Sequence, residues 1–447
     1  MKKHTYALAG TLLLLGSVLA GCSGSAPAAD TPASSGTATG SGSAAAVVDK
    51  PVELYFYHNG NITEEQFQTM YGNYMKEKLP NVTAKFVPKD KNVSLAEMIS
   101  SGTTKIDIFI DSIGQIGLKG SLLDIGLNQD LTDLVKKHNV DLNRFEPTTL
   151  EAIQVMGGLY GLPISNSALV LMYNKDIFDK FGVAYPKDGM TWDDLADMAR
   201  KLTRSEGGTQ YVGYTTSINH FLRLNPLSLA NIDPAAKTAA LETDDWKKLI
   251  QETLVKPMQV EGYNQVLNDL QKQWYKIPYL DEFSKTRNVA MFSFMYGDYS
   301  WAKDMNWDVA ALPTFADKPK IGSQAYPSYM FVTSTSEHKD EAMEVIKLFI
   351  SDDYQSQLSK TGGITILKDE AIKQQFGSET PLKDKNIKNA VFYNAFAPAA
   401  PKTRFDTYVE DGIRGQITPL LLGETDLNTA LRTAQEGINK KIEADTQ

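Results

Sequence analysis

The sequence predicts an α/β protein built as two lobes. Strand-like and helix-like segments alternate from Pro51 to Ile110 in the order β-α-β-α-β, the pattern of a parallel sheet with helices on its faces. The stretch that reads as folded, about 400 residues, exceeds what one hydrophobic core usually holds. What precedes it has the composition of an export signal and a tether, so the folded part starts near Lys50.

Lys2, Lys3 and His4 make a basic start, and an apolar run follows through Leu12–Leu15 to Leu19. The run is too short for a bilayer span and closes in Leu19-Ala20-Gly21-Cys22. Small residues before a cysteine resemble the bacterial lipobox, which implies a signal peptide over 1–21 and lipidation of Cys22 as the mature N-terminus. Cys22 is the single cysteine, so no internal disulfide can form and the core alone must stabilise the fold. Residues 22–49 are rich in Gly, Ser, Ala, Thr and Pro, a composition that cannot bury enough apolar surface to order itself and reads as a flexible tether.

The folded part opens with an aromatic alternating strand, Pro51 to Tyr57, broken at His58-Asn59-Gly60. Thr63 with Gln66, and Ser94 with Glu97, form capping-box spacings that start helices. Val82–Val87 and Ile106–Ile110 are the next two strands. Leu131–His138 reads as a helix, and Leu159–Pro163 and Ala168–Tyr173 as strands. Thr191 starts a helix ending near Leu202, and 244–254 and 263–275 are amphipathic. Val289–Phe294 and Trp307–Leu312 are strands. Apolar residues at 342, 345, 346, 349 and 350 give Lys339–Ser351 a helical face, and Leu427–Glu443 is the last helix. No later segment is apolar over the length of a membrane span.

The formal net charge is −9, and loss of Lys2 and Lys3 makes the mature chain more acidic. Nucleic-acid binding needs a basic surface, so it is excluded as a function class. The chain has no Gly-x-Ser-x-Gly elbow, zinc-protease helix or Walker loop, and Gly114, Gly117 and Gly120 are wrongly spaced for a dinucleotide fingerprint. Asp90-Lys-Asn92-Val-Ser94 starts like a calcium loop but lacks its glycine and closing acid. No metal or cofactor is expected. Catalytic carboxylate pairs have no sequence signature, so a cell-surface glycoside hydrolase is the alternative from another class. A structural or adhesive lipoprotein is a third reading.

Three runs in the middle of the chain carry a resemblance: Gly158–Pro163, Leu171–Asp179, and Met190–Leu195 with Ala199–Thr203. With Val289-Ala-Met291, Trp307–Pro313, the helix after Glu337-His-Lys-Asp340 and the Gly362-Gly363 turn, they resemble the family 1 extracellular solute-binding proteins, the maltose-binding-type receptors of ABC importers. The resemblance implies the two-lobe periplasmic-binding-protein fold (type II), each lobe a mainly parallel sheet flanked by helices, joined by hinge strands. Crossings are expected near 162–164, 326–330 and 366–371. Lobe one is then 50–162 plus 327–368, and lobe two 163–326 plus 369–447. The resemblance further implies a monomer, lipid-anchored on the outer face of a Gram-positive cytoplasmic membrane. It would capture a small solute, a carbohydrate above all, and pass it to a permease.

In parallel sheets ligands bind beyond the carboxyl ends of the strands. Tyr57, His58 and Asn59 follow strand one, and Asp111, Ser112 and Gln115 follow strand three. Carboxylates and amides suit sugar hydroxyls, and aromatic faces suit the C–H side. Phe294–Trp301 places Tyr296, Asp298, Tyr299 and Trp301 after a buried strand. In the family this loop carries a stacking aromatic, often Trp after a Gly, and Tyr296-Gly-Asp-Tyr299 departs from that pattern. Asn166 lies at the expected hinge. Tyr214, Asn225 and Tyr329 complete the expected contacts, with His220, Tyr326, Tyr393 and Phe396 as further candidates. Trp192 and Trp307 are read as packing residues, and His138 as a solvent-facing one.

Overall fold

A computed structural model describes residues 48–446 apart from 103, 271 and 298. The proposed signal, Cys22 and the tether therefore lie outside the described residues. Strands β1 (Val52–His58), β2 (Val82–Val87), β3 (Ile108–Ser112) and β4 (Leu162–Ser165) come first, then β5 (Leu169–Asn174), β6 (Arg204–Glu206), β7 (Thr209–Thr216) and β8 (Val289–Met295). β9 (Trp307–Ala311), β10 (Ile321–Gln324), β11 (Ser328–Val332) and β12 (Ala395–Ala397) follow. One five-stranded sheet has the order β2-β1-β3-β11-β4, and another has β6-β7-β8-β5-β9. β10 and β12 pair on their own.

The first helices start as their sequences dictate. Thr63, Ser94 and Thr191 each accept a backbone N–H in a complete capping box. Such caps satisfy N–H groups that the helix cannot, typically worth about 1 kcal/mol each. The helix Trp192–Leu202 buries Trp192, Leu195, Ala196, Ala199 and Leu202 on one face.

The α/β class holds, but sheet direction is more mixed than expected. β1 runs parallel to β2 and β3, while β11 is antiparallel to both β3 and β4. In the second sheet β7 and β8 are parallel, and β5 runs against both β8 and β9. All six residues of β5 are buried. A strand covered on both sides reads as one apolar run whichever way it points, so composition does not reveal its direction.

The chain passes from the first sheet to the second between Ser165 and Leu169, a little later than the expected 162–164, because β4 still pairs with β11. It leaves the second sheet after β9, passes through β10, which pairs only with β12, and rejoins the first sheet at β11. Asn166 pairs with Ile364 and Phe145 with Leu367 as isolated bridges, so 364–367 runs beside the first link. Beyond it, Ser359 Oγ donates to the Ile372 carbonyl, which keeps Glu370–Gln374 against the helix Asp352–Lys360. Asp406–Leu421, absent from the sequence expectations, packs on Leu427–Thr446 and on the helix Ile218–Arg223. Among the described residues no helix is long and apolar enough to cross a membrane.

Candidate functional site

The carboxyl ends of β1 and β3 lie side by side, with His58 in register with Ile110. Just beyond, Asn59 Nδ2 donates to Asp111 Oδ2 at 2.8 Å, and the Ser112 backbone N–H donates to Asp111 Oδ1 at 2.8 Å. Asp111 is 4% exposed. Burial raises its pKa to about 7, against the lowering effect of Asn59, the Ser112 amide and Lys89. The site thus holds a carboxyl group that titrates near neutrality. Tyr57 stacks on Phe109 with ring centroids 5.3 Å apart, and its phenol is pushed up by burial and by Asp111. Burial lowers His58, whose Nδ1 accepts from the Gly60 N–H at 2.9 Å.

A hollow of about 590 Å³ opens on this edge, walled in part by Tyr57, Asn59, Lys89, Gln115 and Lys119. That size suits a small ligand. A second hollow of about 710 Å³ takes in Tyr393 and Phe396, with Glu146, Lys373 and Lys388 among its walls. Its walls include none of the carboxyl ends of the parallel strands, where such folds bind ligands, so the strand-end hollow is the candidate site.

The segment linking the sheets is bonded to the end of β3. Ser112 Oγ donates to Tyr326 Oη at 3.1 Å. A Cβ on Gly114 would lie 2.5 Å from the Tyr326 ring, so only glycine lets the ring approach. The Tyr326 backbone N–H donates to Asn166 Oδ1 at 3.0 Å. Asn166 is 7% exposed, and its Nδ2 has no partner among the described residues. A buried amide donor left unpaired costs stability unless something else accepts from it.

On the second lobe, the carboxyl end of β7 runs into Ser217. Its hydroxyl meets His220 Nδ1 at 2.8 Å and Tyr279 Oη at 3.2 Å. Burial and Arg223 hold His220 down to about 4, so the ring is neutral at physiological pH. Beyond β8, Tyr296 donates its hydroxyl to the Gly362 carbonyl at 2.5 Å and lies 5.7 Å from Phe376. Trp301 is half-buried against Tyr299 and Phe283. Asp298 lies outside the described residues.

Three expected contacts sit inside the lobes instead. Tyr214 has no exposure and meets Ser293 Oγ at 3.1 Å. Asn225 is also fully buried and ties Leu222 to Leu229 through backbone bonds. Tyr329 donates to the Thr149 carbonyl at 2.6 Å from within the first sheet. Each side chain points to the covered face of its strand or turn, a distinction that residue type alone does not carry. His138, read as solvent-facing, is instead bonded to Glu344 and Asp340. Ser217 and Tyr279 are absent from the sequence expectations because β7 is half polar and does not read as a strand.

The family pattern described as bacterial extracellular solute-binding protein matches residues 59–356. The chain belongs to that family. A binding protein of Brucella abortus (strain 2308) is 23% identical over 249 residues, 52% of this chain and 56% of that one. The arabinooligosaccharide-binding protein of Bacillus subtilis is 30% identical over 214 residues, 46% of this chain and 43% of that one. The matches thus span about half of these curated relatives. Among solved structures, an ABC substrate-binding protein of Listeria monocytogenes in complex with cycloalternan superposes with TM-score 0.64 and 18% identity, over 88% of this chain and all of that one. At that identity the likeness concerns the fold, which is the two-lobe solute-binding architecture.

Proposed function

We propose that this solute-binding protein captures an uncharged oligosaccharide between the carboxyl edges of its two sheets and delivers it unaltered to the permease of an ABC importer. The observation that carries the proposal is the cluster of Asp111, Asn59 and Ser112, held against the linking segment by Tyr326. An ionised carboxyl accepts from sugar hydroxyls, and amides both donate and accept, so such a cluster fixes a polyol without net charge. Asn166 Nδ2 is a further donor awaiting an acceptor. Tyr57, His58, Tyr296, Asp298 and Trp301 complete the proposed contacts. The Bacillus relative and the Listeria structure, named for oligosaccharide ligands, support this choice of solute.

The links at 166–168 and 325–327 serve as hinges between lobes close to the limits given above. Hinge closure around ligand is the behaviour of periplasmic binding proteins in general. Preference of the ligand for the closed form then shifts the population that a permease can read. The protein acts as a monomer, and the lipid on Cys22 tethers it to the outer face of the membrane. Cys22→Ser is expected to release the protein into the medium, checked by detergent partitioning. Retention in the detergent phase would refute the anchor.

Calorimetry against malto-, manno- and arabino-oligosaccharides, with chromatography of the sugar afterwards, tests the function. Saturable binding with intact recovery is expected. Absence of binding across the panel would overturn the reading, and shortened products would turn it toward a glycoside hydrolase.

A further inference from the structure

Two charged residues from each lobe meet at the rim of the strand-end hollow. Lys119, one of its walls, donates from Nζ to Asp445 Oδ1 at 2.5 Å. Arg404 donates from Nη2 to Asp445 Oδ2 at 3.1 Å and from Nη1 to Asp124 Oδ1 at 3.0 Å. The second oxygen of Asp124 accepts from the Gly120 N–H at 2.8 Å, so Asp124 and Lys119 stand on one turn of the chain that follows β3. That turn is fixed to the first lobe through Ile116 and Leu122, which have no exposure. Arg404 precedes the helix Asp406–Leu421, and Asp445 lies near the end of Leu427–Thr446, next to the buried Ile442. Both helices belong to the second lobe. They pack on each other, and the first packs on Ile218–Arg223, the helix that follows β7.

Three features set these charges apart from ordinary surface pairs. Their signs alternate along the chain Lys119, Asp445, Arg404, Asp124, and that chain crosses from lobe to lobe twice. The two acids are largely covered, with 18% of the Asp445 side chain and 16% of the Asp124 side chain exposed. Lys119 and then Arg404 hold the Asp445 carboxyl down to about 2, so it is ionised at any physiological pH. Of the four residues only Lys119 is a wall of the hollow, so Asp124, Arg404 and Asp445 act on the lobes and not on a ligand. Hinge bending at the links moves the lobes apart as bodies, and bonds that cross between them are then lost. Exposed ion pairs are individually weak. Bonds made only in the closed arrangement nevertheless shift the population toward it.

We infer that Lys119 and Asp124 of the first lobe and Arg404 and Asp445 of the second form an ionic latch at the mouth of the cleft, which steadies the closed form and slows escape of the bound sugar. This inference rests on the proposed function and deepens it. The test compares the full chain with Asp445→Asn, which removes the charge, and Asp445→Lys, which turns both of its bonds into repulsion. Circular dichroism checks that the variants fold, and Arg404→Gln is the second route to the same loss. The probe is whichever malto-, manno- or arabino-oligosaccharide binds. An uncharged sugar brings no ionic bond of its own, so any salt dependence of its binding reports the protein's bonds. Affinity of the unaltered protein should fall about threefold to tenfold between about 0.05 M and about 1 M sodium chloride, where the screening length shrinks to about 3 Å. Asp445→Asn should lose most of that dependence, and Asp445→Lys should bind more weakly still at low salt. Stopped-flow kinetics should place the loss in faster dissociation, with association changed by less than about twofold. A salt-independent affinity in the unaltered protein, or a release rate equal in the unaltered protein and Asp445→Lys, would overturn the latch and leave the proposed function standing. No binding by the unaltered protein would sink both.

Discussion

Asp111→Asn is expected to weaken oligosaccharide binding by about tenfold to a hundredfold while making the empty protein more stable at pH 8. Both effects follow from one buried carboxyl group. Its pKa in the folded chain is raised to about 7 by burial. In the unfolded chain an aspartate titrates near about 3.9. A group whose folded pKa is raised contributes stability that is fully present below the unfolded value and is lost as pH rises through the folded value. Between about pH 4 and pH 7 the empty fold therefore loses on the order of 4 kcal/mol, at 1.36 kcal/mol per unit. The amide of asparagine keeps the shape and removes that loss. Sugar hydroxyls, however, bind the ionised carboxylate through charge-assisted bonds worth about 1.5–3 kcal/mol. Affinity of the unaltered protein should consequently climb as pH rises from about 5.5 to about 8, following ionisation near 7. The Asp111→Asn variant has no such titration, so its affinity should stay flat. Calorimetry at several pH values, with thermal melts alongside, measures both. A pH-independent affinity in the unaltered protein would remove Asp111 from the site.

The second large effect concerns the support behind the cleft. Arg223 Nε donates to Glu410 Oε1 at 2.5 Å and its Nη2 to Glu410 Oε2 at 2.8 Å, a two-pronged pair. The Glu410 side chain is 2% exposed and that of Arg223 14%. Lys402 also reaches the Arg223 carbonyl at 2.5 Å, so the pair binds the helix Ile218–Arg223 to the helix Asp406–Leu421 and the segment before it. Removing one partner leaves the other charge buried without its two-pronged bond, answered only by the less direct charges of Asp406 for Arg223 and of Lys402 and Arg414 for Glu410. Glu410→Ala should therefore cost about 3–5 kcal/mol in urea unfolding. Replacing both residues with methionine should recover most of that loss, since neither charge is then stranded. A Glu410→Ala cost below about 1 kcal/mol, the range of an exposed pair, would show that water reaches the site.

The first lobe's half of the site was readable in the sequence, and much of the second lobe's was not. Tyr57–Asn59 and Asp111–Ser112 follow strands whose apolar content is unmistakable, and the rule that ligands sit at carboxyl ends then names them. β7 escaped because Thr209-Gln-Tyr-Val-Gly-Tyr-Thr-Thr216 is half polar and interrupted by Gly213. The structure gives the glycine its reason: a Cβ there would lie 2.1 Å from the Ala199 carbonyl oxygen, so the helix Trp192–Leu202 can press on the strand only if Gly213 has no side chain. With β7 unseen, Ser217 and Tyr279 had no strand end to mark them. The helix Asp406–Leu421 was hidden by Gly412, Gly415 and Pro419, residues that usually argue against a helix interior. The exposed Trp274 falls inside 263–275, which reads as an amphipathic helix and of which the structure makes Asn264–Leu270 helical, and exposure is a tertiary property that such a pattern does not report.

The central claim is that two sheet-based lobes close on a sugar and leave it whole. Small-angle X-ray scattering during titration with an oligosaccharide that calorimetry shows to bind tests this most directly. A fall in radius of gyration that saturates at the same molar ratio as the heat is the predicted result. A radius unchanged at full occupancy would contradict closure, and with it the way the bound state is signalled to the permease.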